Sequence, residues 1–447
     1  MRAKILKALT GLRHNYWFWP SLLTLVAIVL GSVLPLVDGR VGTGWMEATG
    51  FGRPVQVDGA RAILTTIAGA VLGVAGVSFS ITIVAVSFAS GNYGPRLIGN
   101  FMRDRINQVV LGIFVATFVY AISVLSTVHA ASDGQSAQLA AFVPQIALMV
   151  ALALTLISIG ALIVFIHHVP ESIDIMNLVA EVGMALRARV SAVLDEAGEM
   201  EKSPHGPWQD GADDGARALY APLSGYVQQV DVTYLADEAK EAGVQVRAIA
   251  PPGTFVVKGE AVLLARPAHK VDTALGERLC AGVVVGAQRS DVQDIAFLAD
   301  QLVEVLARAL SPGVNDPFTA MTCLDWMRSA LTAFVDEETP QRADDSAIVI
   351  HRMLTLQTMV QRTFQRARPY VATDRNTAIH AMGALGRLVH AAKREDDVAV
   401  LTREMERLAD AVLAVFEDAD TRRTITDLAK GQAADTASGR PRVPVGA

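Results

Sequence analysis

The chain has 447 residues, 51% of them hydrophobic and only 19% charged, against about a quarter charged in an ordinary soluble protein. The charge is divided: residues 1–166 carry ten basic and five acidic side chains, whereas 167–447 carry 29 basic and 40 acidic. This pattern implies a membrane-embedded first part and an acidic soluble second part, and it argues against nucleic acid as the main partner.

In chain order, the first apolar run is Trp19 to Val37, behind Arg2, Lys4, Lys7 and Arg13. It lacks a small-x-small cleavage site, and Tyr16 to Trp19 form an aromatic anchor at headgroup level, so a retained span is expected. The second run, Ala62 to Ala89, holds no charge. At 1.5 Å per residue it reaches ~42 Å, longer than a ~30 Å hydrocarbon core, so it must tilt, bend or extend beyond it. Val109 to Val128 and Phe142 to Ile166 complete four transmembrane helices. Basic residues crowd the amino terminus and the 90–106 loop (Arg96, Arg103, Arg105), while the 129–141 loop has none. By the positive-inside rule both termini are cytoplasmic, although the 38–61 loop is mixed in charge.

Within the second span Gly69, Gly73, Gly76 and Ser80 form a small-residue pattern. Two readings are open: close helix packing within or between subunits, or the lining of a pore. No span holds an internal Asp, Glu, Lys or Arg, so a proton relay has no candidate residue. His167 and His168 close the fourth span, either as interfacial side chains reaching water or as a pH-sensing pair.

Beyond the membrane, Pro170 to Asp174 reads as a helix start, and Ile173, Met176, Val179, Leu186 and Val190 predict a stalk helix to about residue 197. Residues 198–216 read as a linker. From 217 to 286 the period changes to that of strands: Tyr220 to Val232, Val244 to Ile249, and two strands about the Lys258-Gly259 turn. The Ser-Gly-Tyr-Val and Gly-x-x-Val-x-Lys-Gly-Glu pieces resemble a barrel-sandwich hybrid, the fold of lipoyl and biotinyl carriers. Lys240, however, falls in a helical stretch and not at a hairpin tip, so no covalent prosthetic group and no other cofactor is expected. From Asp291 apolar residues recur at three and four, predicting a helical bundle over 287–430. Residues 348–366 are expected to form one of its helices. The tail 431–447, rich in Gly, Ala, Ser and Pro, is expected to be disordered. The domain division is thus 1–166, 167–216, 217–286, 287–430 and 431–447. The two cysteines, Cys280 and Cys323, suit neither a disulfide framework nor a metal site.

The densest motif is Ser311-Pro312-Gly313-Val314-Asn315-Asp316-Pro317-Phe318-Thr319. Ser311 to Gly313 ends one helix, and Asp316-Pro317 starts the next. Asn315, Asp316 and Thr319 would converge at a helix N-terminus, where free amides favour an anion or a partner's carboxylate. Upstream, Arg289, Gln293 and Asp294 open the paired helix and are candidate partner or assembly contacts.

These two motifs, with the four spans before them, resemble a bacterial family of predicted membrane proteins that carries only a domain-of-unknown-function label. The likeness runs over roughly residues 15–420, with Ser290 departing from the Thr expected after the arginine. It implies a bacterial inner membrane location, a membrane-embedded amino half and a soluble carboxyl half, and no particular reaction. Three functions follow in order of preference. The first is a homo-oligomeric channel with a cytoplasmic vestibule. The second is a membrane-anchored scaffold or sensor binding a protein or small anion. An enzyme ranks last, because no phosphate loop, zinc-protease or nucleophile motif occurs.

Overall fold

The computed structural model describes residues 17–42, 54–93, 104–130, 141–199, 215–290, 292–335, 348–349 and 355–438. The amino-terminal basic residues, Arg53, Arg96, Arg103, most of the expected linker and the tail from 439 lie outside them. The chain divides into two compact units, Met1–Asp174 and Ile175–Ala447, taken here in turn.

The first unit is four helices, α1 (Phe18–Val41), α2 (Val57–Tyr93), α3 (Arg105–Leu125) and α4 (Gln145–Ile173), each long and apolar enough to cross a membrane. With 37 residues, α2 reaches about 55 Å and so extends well beyond a bilayer core. The innermost helix is α3, with Phe114, Tyr120, Ala121 and Val124 all but inaccessible. Two glycines bring α1 onto it. A Cβ on Gly31 would stand 2.7 Å from Ser123 Cβ, and one on Gly112 would stand 2.8 Å from Leu23 Cδ1 and 3.1 Å from Pro20 Cα. Buried hydroxyls of Thr117 and Ser158 meet at 3.0 Å between α3 and α4.

At one end of this bundle α4 begins at Pro144, which has no side-chain acceptor for the first amides. The buried carboxylate of Asp38, from the last turn of α1, supplies it, accepting from Ile146 N at 2.8 Å and Ala147 N at 2.9 Å. Tyr120 donates to Ala147 O at 2.9 Å, and the Gln145 side chain pairs with both backbone groups of Val55. One of the three acids in the mixed 38–61 segment, Asp38, is therefore a helix cap.

The second unit opens with α5 (Ile175–Glu199). Pro170, expected to start this helix, lies instead in the last turn of α4, and the break falls at Asp174. The helix is no free stalk either: Leu178, Val179, Val182, Leu186 and Val190 are buried. A β-region follows with β1 (Arg217–Tyr220), β2 (Gly225–Val230), α6 (Val232–Ala242), β3 (Gln245–Ala248), β4 (Phe255–Val256), β5 (Ala261–Arg266), α7 (Thr273–Cys280) and β6 (Val283–Gly286). Val227, Val230, Leu235, Val246, Leu263 and Leu279 form its core. One sheet runs β4-β2-β6, and the other has β1, β5 and β3 in spatial order with a short strand, β7 (Ile348–Val349), at its edge. All pairings are antiparallel except β3 with β7. Lys240 lies in α6.

The bundle consists of α8 (Ile295–Ala309), α9 (Pro317–Val335), α10 (Leu356–Val360), α11 (Arg366–Val371), α12 (Arg375–Ala391), α13 (Glu395–Val415) and α14 (Ala419–Ser438), with α5 packed on α8 and α9. The Trp326 ring lies where a Cβ on Gly183 would stand, so α5 and α9 approach closely there. A π turn, Gln361–Gln365, joins α10 to α11. The single helix expected over 348–366 is corrected: β-branched Ile348 and Val349 pair with β3, and the helix starts only at the Thr355 capping box. The last helix runs to Ser438, into the stretch expected to be disordered, through Ala, Gln and Lys that favour helix.

Candidate functional site

Gly69, Gly73, Gly76 and Ser80 succeed one another by four, three and four residues and so share one line along α2. All four are exposed, and a Cβ added at any of the three glycines would meet nothing within 4 Å. The residues α2 buries in its own bundle, Leu64, Ala68, Val71, Ala75 and Ser78, lie on the opposite side of the helix. Exposed Ala62 and Ser87 extend the small-residue line in both directions. Among the described residues of the first unit, the glycines that pack helix on helix are Gly31 and Gly112, whereas Gly69, Gly73 and Gly76 of α2 face outward.

The signature loop links α8 to α9. Ser311 O accepts from Val314 N and Asn315 N, Ser311 Oγ donates to Arg308 O at 2.6 Å, and Asp316 N donates to Ala309 O at 2.8 Å. Asn315 takes the left-handed conformation, φ 50°, which asparagine tolerates. The Asp316 carboxylate accepts from Thr319 N at 3.1 Å and Thr319 Oγ1 at 2.5 Å. The amide offered to an outside anion is thus taken by the chain's own carboxylate. Outward the loop presents Val314, 48% exposed, and Phe318, 74% exposed, beside exposed Pro312, Gly313 and Asn315. Nearly two turns into α9, burial, and behind it the charge of Asp316, push the Cys323 thiol far above its ordinary value. That thiol is inert, because the thiolate is the reactive form.

Arg289, Gln293 and Asp294 stitch the β-region to the bundle. Gln293 pairs with Val230 N at 2.8 Å and Val230 O at 3.1 Å. Asp294 caps α8 through Phe297 N, and Gly253, at φ 89°, leaves room for its carboxylate. The Arg289 guanidinium, over the Phe297 ring, bonds Asp294 at 2.7 Å and Asp300 at 2.6 Å. Arg366 bonds the other Asp300 oxygen at 2.5 Å, and Arg362 stands 3.8 Å away. Sequence reasoning missed Asp300, Arg362 and Arg366. The available signals were an acid inside the α8 apolar repeat and two arginines four residues apart. The signature loop, beyond the far end of α8, takes no part in these bonds.

In the first unit His168 Nε2 lies 2.6 Å from Asp104 Oδ2, and Asp104 also caps α3 through Ile106 N. His167 is exposed, 3.9 Å from Glu171. Between β1 and α7 a groove of about 490 Å³ is lined by Tyr220, Pro222, Glu277 and Cys280 among others. Among the described residues no three of His, Cys, Asp and Glu gather to hold a metal.

Four apolar helices followed by a large helix-rich unit with small sheets fit a multi-pass membrane protein. The chain belongs to the family described as predicted membrane protein, DUF2254, whose model matches residues 13–409. Relatives in Mycobacterium bovis and in two strains of Mycobacterium tuberculosis, each called an uncharacterized protein, are 32% identical over 314 residues. The match covers 69% of this chain, and the chain spans 58% of the length of these curated relatives. No solved structure matches it.

Proposed function

We propose that the protein is a homo-oligomeric channel of the bacterial inner membrane, with α2 of each copy facing a shared axis and the second unit forming a cytoplasmic vestibule. The outward line of Gly69, Gly73, Gly76 and Ser80 carries this reading. A helix-interior glycine costs about 1 kcal/mol against alanine, and among the described residues nothing packs on these three to offset it. Small side chains toward neighbouring copies allow close helix approach and leave a smooth, weakly polar wall. Both termini are cytoplasmic in this reading, on the strength of Arg2, Lys4, Lys7, Arg13, Arg96, Arg103 and Arg105 against a 129–141 loop without Lys or Arg.

The test is ion flux through purified protein in liposomes. Gly73→Leu and Gly76→Leu have open space in the single chain, so they should fold normally yet lower flux by at least about tenfold, as expected where a small-lined passage is narrowed. Folded, oligomeric protein that passes no ion would overturn the proposal. The exposed Val314 and Phe318 of the signature loop favour a second reading, a membrane-anchored scaffold. There, Phe318→Ser would abolish capture of a protein partner while flux stayed absent throughout.

A further inference from the structure

The paired helices α9 and α12 present a cluster that the channel reading does not use. Asp325 and Arg328 lie on α9, and His380 and Arg387 lie on α12. The one carboxylate stands 3.1 Å from His380 Nε2, 3.8 Å from Arg328 Nε and 3.9 Å from Arg387 Nη2. The two arginine distances are too long for hydrogen bonds. Arg328 Nε is buried and has no hydrogen-bond partner among the described residues. The Arg387 side chain folds back along α12, its Nη1 3.7 Å from where a Cβ of Gly383 would be. Positive charge is thus gathered around a single carboxylate in a half of the chain where acids outnumber bases 40 to 29. Burial, and after it the charge of Arg328, pull the Arg387 guanidinium below its ordinary value.

We propose that Arg328 and Arg387 form an oxyanion site for a phosphate group, with His380 at its edge. Their planar donor forks suit the oxygens of a tetrahedral dianion, and an anion between them relieves their mutual repulsion. Both side chains reach solvent, at 34% and 40% exposure, so a ligand can enter. Phosphate could arrive as the free ion or as the end of a small organic phosphate. The site is independent of whether α2 lines a channel.

The experiment titrates full-length protein in nanodiscs with inorganic phosphate and, separately, with glycerol phosphate, at constant ionic strength, by calorimetry. Binding to the wild type should weaken at least about tenfold in Arg328→Gln/Arg387→Gln, the loss expected for charge-assisted bonds. Asp325→Asn removes the competing carboxylate and should strengthen binding, a change that misfolding cannot mimic. Tighter binding of glycerol phosphate identifies an organic phosphate as ligand, and equal or weaker binding identifies the free ion. Absence of binding to the wild type, equal binding to the double variant, or weakening by Asp325→Asn would overturn the site.

Discussion

Arg289 answers two carboxylates with one guanidinium. Asp294 and Asp300 have side chains only 2% and 4% exposed, and an unpaired buried carboxylate is expensive. Replacing Arg289 by Gln leaves Asp294 without a cation, while Asp300 keeps Arg366. The expected loss is about 3 kcal/mol, at the low end for breaking a buried pair, read from thermal unfolding of the second unit. Arg289→Lys should recover only part of it, because a lysine cannot bond two carboxylates through a fixed fork. Arg289 and Asp294 were legible as a charged helix start because they are five residues apart. Asp300, Arg362 and Arg366 were not, because the fold brings Arg366 to a carboxylate 66 residues away and local pattern carries no trace of that. The signature string was legible as turn chemistry, and every hydrogen bond found in it is of that kind.

Among elements, the spans were the most readable, since an apolar run of bilayer length has few other uses. Their mutual arrangement was not. Periodicity says which residues share a face, but not which neighbour that face meets, so the glycines of α2 looked as suited to internal packing as Gly31 and Gly112 are. The same limit hid the start of α4. Asp38 read as one acid among the mixed charges of a loop, yet it closes the N-terminus of a helix more than a hundred residues later. Asp38→Ala leaves two buried amides without an acceptor and should cost about 1–3 kcal/mol in detergent-solubilised protein. Asp38→Asn keeps one acceptor and should cost less, a ranking that thermal unfolding of the two variants checks. At the junction of the two units the misreading was of another kind. Pro170 resembles a first-turn proline, but a last-turn position is equally open to it, and only the break at Asp174 decides.

At the scale of the molecule, each unit has a core of its own: α1 to α4 in the first, the β-region and bundle in the second. The second should therefore fold without the first. Expressed alone, Ile175–Ser438 is expected to unfold in one cooperative transition by circular dichroism. A fragment with helical signal but no such transition would show that the cores depend on each other. The division of charge along the chain announced this two-part build before any element was assigned, because charge is excluded from lipid and welcome in water. The stitch between β-region and bundle was invisible at that level, since a glutamine pairing with a strand's backbone leaves no mark on composition.

The loan of Asp38 to α4 has a consequence for how the protein is made. In the membrane half, α1 carries the group that completes the start of α4, so that end closes only once these two helices have met. Until α1 and α4 meet, the amides at the start of α4 have only water or headgroups to turn to. A membrane half missing its first helix would therefore be an unfinished one at the fourth, open at the same end where Gln145 and Tyr120 otherwise close it.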